Sequence, residues 1–169
     1  MEISYLAVTI LQAIGVSLGV GSSTIAVSQF FVAISNGKIG EAERRMLGVV
    51  YIVLRVAMGT ILVTTLAQAA IIYQFIGLNY FNPFTVGVWS AIFVLFVNAV
   101  MMTLHWMPYR FGPGLQAGSW YTLGISFSLV PLGLTSFSYE QFFLAYAGAL
   151  VLGVAIVNGI MNYLESRRG

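Results

Sequence analysis

The sequence predicts an all-α, polytopic membrane helix bundle of five transmembrane helices, with the N-terminus outside and the C-terminus cytoplasmic. Three observations carry this. Of 169 residues, 59% are hydrophobic and 7% charged, too little charge to cover the surface of a water-soluble domain of this size. Apolar runs of about 20 residues or more recur between short polar breaks, the length that crosses a hydrocarbon core. The basic residues of the loops and tail, Lys38, Arg44, Arg45, Arg110, Arg167 and Arg168, all fall on one side of a five-span layout, and no Lys or Arg falls on the other.

One transmembrane domain, 1–169, accounts for the chain, with spans over about 5–34, 46–76, 84–106, 115–134 and 140–164. The net charge of +2, scattered over helix ends, excludes a nucleic-acid footprint. The absence of cysteine excludes disulfides, thiolate metal sites and a cysteine nucleophile. Met1-Glu2 supplies no basic n-region, so the first apolar segment reads as a retained anchor.

The first span carries Gln12, Gly15, Gly19, Ser22, Ala26 and Gln29 on one side, a small and polar stripe that faces protein. Gly15 and Gly19 form a GxxxG and predict a close helix contact. The second span has demanding groups on two sides, Arg55 on one and Thr60, Thr64 and Gln68 on the other, which predicts a place in the middle of the bundle. Tyr73, Phe75, Tyr80, Phe81, Phe84 and Trp89 gather at the outer boundary and suit an aromatic belt. The third span puts Asn98, Met102 and His105 on one stripe. Pro131 is expected to kink or end the fourth span. The fifth span shows another small and polar stripe, with Gly148 and Gly159 as packing positions.

Arg55 is the residue to explain, because a guanidinium at bilayer depth costs roughly 2.5–3.5 kcal/mol. A helix starting near Met46 puts it about 13 Å along the axis. It reaches lipid phosphate, pairs with a glutamate or backbone carbonyls, or binds an anionic ligand. Tyr51 shares its stripe, and Asn98 and Gln29 lie in the same half of the bundle, so Arg55, Tyr51, Asn98 and Gln29 form the candidate ligand-binding set.

His105 is the only histidine, which excludes a bis-histidine haem within one chain and a three-histidine zinc site. With Met102 one turn before it and Met101 and Met107 nearby, thioether plus imidazole suits Cu(I) or haem with mixed axial ligation. The same residues also read as a solvated interfacial histidine beside packing methionines. One histidine and no aspartate leave no Ser-His-acid set, and no acidic pair lies within the spans, so an enzyme is the least favoured class.

A glycine-rich first span, a loop ending EAERR before the long second span, and a third span ending LHWMP resemble small bacterial membrane proteins distantly similar to the copper-resistance D group. The resemblance implies a bacterial inner membrane and points, for copper or haem handling, to His105. From the residues, the leading expectation is a small transporter or channel with a cytoplasm-facing polar cavity around Arg55. The alternative is a non-transporting subunit of a membrane complex, or a haem- or copper-handling protein using His105. The expected partners are the lipid bilayer and either further copies of the chain or a larger membrane complex.

The topology is checked by accessibility. Cysteines placed at Lys38 and Asn79 should label from opposite faces of intact cells, and labelling of both from one face would sink the five-span layout.

Overall fold

The computed structural model describes residues 2–36 and 40–167, so the expectations for Lys38 and Arg168 fall outside the described residues. Five α-helices follow one another: α1 (Glu2–Asn36), α2 (Glu41–Ile76), α3 (Pro83–Thr103), α4 (Gly112–Leu129) and α5 (Tyr139–Ser166). Short 3-10 turns follow α2 (Gly77–Tyr80) and α4 (Val130–Leu132). Among the described residues, four helices are long and apolar enough to cross a membrane, namely α1, α2, α3 and α5. The 18-residue α4 is not among them.

The helices run up and down. Gln12 bonds Thr65 across α1 and α2, Asn98 bonds Gln116 across α3 and α4, and Ser119 meets Tyr146 across α4 and α5. Arg44, Arg45, Arg110 and Arg167 consequently gather at one end of the bundle, the basic end. Local chemistry sets the helix boundaries. Asn82 caps α3 by accepting from the Thr85 amide at 3.0 Å, with Pro83 in the first turn. Ser138 and Gln141 form a capping box on α5 at 3.0 and 3.1 Å. Pro131 falls in the 3-10 turn that ends α4, and Gly133, at φ +69°, closes it in the left-handed region.

All five helices build the core: Ile61, Leu95, Leu123 and Trp120 are fully enclosed, and Val16, Ala91, Ile92 and, from α5, Phe142 and Tyr146 pack with them. The central helix is α4, which contacts α1, α3 and α5, whereas α2 packs chiefly along α1. This corrects the expectation of a central α2. Its polar groups need no ring of neighbours: Thr64 donates to the Thr60 carbonyl of its own helix, Thr65 accepts from Gln12, and Gln68 donates to Thr9. A helix surrounded by others can be polar and small, and that is the composition of α4.

Glycine sets the spacing. A Cβ on Gly19 would lie 2.1 Å from the Trp120 ring, and one on Gly15 3.0 Å from Thr60. Between α4 and α5 the backbones themselves meet: a Cβ on Gly114 would lie 2.7 Å from the Val154 Cα, and one on Gly153 2.7 Å from the Gly114 carbonyl oxygen. Gly118 lies at the same contact. Gly148 and Gly159, expected at packing positions, have no atom within 4 Å of such a Cβ. The physical reason is register, since α5 turns Gly153 toward α4 and leaves the other two on its exposed side.

Gly19→Leu and Gly114→Leu should each destabilise the detergent-solubilised protein by roughly 1–3 kcal/mol or more, as overpacking does. Gly148→Leu and Gly159→Leu should leave the melting temperature unchanged. Thermal melting of the four variants checks this ordering.

Candidate functional site

A cavity of about 480 Å³ opens at the end opposite the basic residues. Gln12 from α1, Thr65 and Gln68 from α2, Val88 and Trp89 from α3, Ser126 and Phe127 from α4, and residues 135–137 of the α4–α5 connection line it. Ser126, Phe127 and Val130, at the end of α4, form part of its wall. Two hydrogen bonds shape its walls: Trp89 Nε1 donates to the Tyr80 hydroxyl at 3.0 Å, and Gln68 Nε2 donates to Thr9 Oγ1 at 3.1 Å. Phe84 stacks on Phe137 across its rim, with ring centroids 6.3 Å apart. Tyr80, Phe84 and Trp89 therefore turn inward, and only Tyr73, Phe75 and Phe81 of the expected aromatic belt are exposed.

Gln12 is the distinctive wall residue. Its side chain is 1% exposed and its Nε2 donates to Thr65 Oγ1 at 2.9 Å, but its Oε1 has no protein partner. An unanswered buried carbonyl costs about 1–3 kcal/mol, and that cost is carried here by a residue that lines the cavity. None of the lining side chains is an acid, a lysine, an arginine or a histidine. An ion entering it would lose hydration with no opposite charge to meet, which favours uncharged occupants.

The cavity ends inward on the apolar layer of Val16, Ile61, Leu95 and Leu123. Beyond that layer lies a second cavity of about 50 Å³, lined by Ser23, Tyr51, Leu54, Met102, Pro113 and Gln116 among others.

The sequence-predicted set is dispersed. Arg55 is exposed and lines neither cavity; α2 begins at Glu41, not near Met46, so Arg55 lies about 21 Å along it. Tyr51 lines the small cavity while remaining 47% exposed. Asn98, 2% exposed, is a clamp: its Nδ2 donates to the Gly112 carbonyl at 3.1 Å and to Gln116 Oε1 at 2.9 Å, tying α3 to α4. Gln29 is half-buried with an unpartnered Oε1, away from both cavity linings. Met102 is engaged inside the bundle, where its sulfur accepts from Asn98 at 3.6 Å and packs against Gly112.

His105 has a structural job. Trp106 N–H donates to the Met101 carbonyl at 2.9 Å and His105 N–H to the Met102 carbonyl at 3.2 Å, the paired bonds of a Schellman stop. His105 occupies its left-handed position at φ 59°, where glycine is usual, and its side chain is exposed. Among the described residues no group of three or more His, Cys, Asp or Glu side chains is placed to hold a metal.

Gln12 was visible in the sequence as part of a polar stripe, yet nothing there distinguished it from its neighbours. Gly114 and Gly118 show GxxxG spacing, but their contact with Gly153 depends on register. No family model, no curated protein and no solved structure matches this chain.

His105→Gly should raise stability by up to about 1 kcal/mol, because it relieves a left-handed side-chain residue. Melting curves and metal content measured on the same preparation check it. A loss of bound copper or haem on substitution would instead make His105 a ligand.

Proposed function

We propose that this chain is a multi-pass integral membrane transporter for a small uncharged molecule bearing a hydroxyl or amide, bound in the cavity opposite the basic end. The carrying observation is the unpartnered, buried Gln12 carbonyl on the wall of a cavity of about 480 Å³ that has no charged lining residue. That volume lies within the about 300–1,000 Å³ typical of small-molecule sites. Trp89, Phe127 and Phe137 supply apolar area, while Gln12, Gln68 and Ser126 supply the few polar contacts that fix orientation. A pathway at Gln12 replaces the one expected around Arg55.

Transport, as opposed to binding alone, is supported by the second cavity beyond the apolar layer. Ser23 of α1 and Gln116 of α4 line it, on the same two helices that contribute Gln12 and Ser126 to the large cavity. Passage requires the apolar layer of Val16, Ile61, Leu95 and Leu123 to part, a rearrangement of the kind that alternating access uses.

A thermal-shift series of small neutral alcohols and amides, set against charged analogues of equal size, tests the binding. Neutral members should stabilise the wild type, and Gln12→Leu should weaken the best of them about tenfold, the worth of one buried hydrogen bond. Proteoliposomes loaded with that compound should release it down its gradient. Stabilisation by charged analogues alone would overturn the binding reading, and binding without release would reduce the protein to a receptor.

A further inference from the structure

The same chain carries a charge that this cavity does not use. Arg55 is exposed on the outer side of α2, between Ile52 and Val56, which are 62% and 55% exposed. Among the described residues its guanidinium makes no hydrogen bond or ion pair with protein; the one arginine–carboxylate pair joins Arg45 to Glu41 at 2.7 Å, more than two turns away. An isolated guanidinium on an apolar, outward face needs an anion from the surroundings.

Depth identifies the anion. Leu54, the preceding residue, lines the small cavity beside Met102 in the last turn of α3 and Pro113 in the first turn of α4. With 21 residues, α3 is about 31 Å long, one hydrocarbon thickness, so its end marks the border of the apolar slab. Exposed Trp106 and Tyr109 sit in the adjoining turn, where interfacial aromatics belong. Arg55 thus lies at headgroup level.

We infer that Arg55, with the Tyr51 hydroxyl one turn before it, is a binding site for the phosphate of an anionic phospholipid in the leaflet at the basic end. Gly48 and Gly59 leave the helix surface open on either side along the same stripe, with no atom within 4 Å of a Cβ at either, so a headgroup and the start of an acyl chain can lie against the backbone. The planar fork of arginine meets two phosphate oxygens at once, and the tyrosine hydroxyl can donate to a third. A soluble anion is the poorer occupant, because Arg55 lines no cavity that would enclose it.

The site rests on membrane insertion and is independent of the occupant of the large cavity. The test uses the full chain, delipidated in neutral detergent and titrated with short-chain phosphatidylglycerol or phosphatidylcholine, with bound lipids counted by native mass spectrometry. Wild type should bind phosphatidylglycerol about tenfold more tightly than phosphatidylcholine, whose choline cation offsets the phosphate charge and repels the guanidinium. Arg55→Gln should abolish the difference, Arg55→Lys should retain only part of it, and Tyr51→Phe should lower it by a smaller factor. Arg110→Gln, an exposed arginine in the α3–α4 turn, should leave it intact. Equal lipid selectivity in wild type and Arg55→Gln, or displacement of the lipid by millimolar inorganic phosphate, overturns the proposal. Flotation of all variants with vesicles shows insertion; a chain that fails to float overturns the membrane reading itself, whereas one that floats without lipid selectivity overturns only this site.

Discussion

The backbone contact between α4 and α5 is the constraint on which the rest depends. Apolar solvent gives helices no hydrophobic reason to associate, so they are held by close dispersion contact and by hydrogen bonds between side chains. Gly114, Gly118 and Gly153 allow that closeness, and the buried Ser119–Tyr146 bond of 3.0 Å fixes its register. Once α4 is held there, Trp120 projects toward Gly19 and seats α1, while Gln116 faces Asn98 and seats α3. The second helix is then added along α1. The last turn of α4, with the connection that follows it, then forms part of the wall of the large cavity.

Two buried amides of the same chemistry have been put to different uses. Asn98 spends its donors between helices, on the Gly112 carbonyl and Gln116, and so behaves as a fastener. Gln12 donates to Thr65, and its carbonyl oxygen is buried without a partner in a residue that lines the large cavity. Burial alone does not separate them, since both are at most 2% exposed. The separation comes from position, since Gln12 lines the large cavity and Asn98 lines neither.

Much of the fold was legible because helical periodicity records which side faces protein. The stripe of Gln12, Gly15, Gly19 and Ser22 is buried along its length, and the helix breaks at Pro83, Gly112 and Pro131 follow from backbone chemistry. The site was less legible. Charge drew attention to Arg55, but depth depends on where a helix begins, and α2 begins five residues before Met46. A glutamine whose carbonyl lacks a partner looks in sequence like any other glutamine, because its environment is assembled from α1, α2, α3 and α4. Likewise nothing in the line of methionines around His105 disclosed that the backbone stops α3 at this residue.

The central position of α4 bears on how the chain enters a bilayer during synthesis. A segment built from Gly112, Gly114, Gln116, Gly118, Ser119 and Ser126 partitions weakly by itself, and its polar groups are answered only after its neighbours arrive. Asn98 is already present when α4 emerges, but Tyr146 and Gly153 are still unmade. The burial of α4 therefore depends on helices made both before and after it, and its polar groups are answered only when α3 and α5 have both arrived.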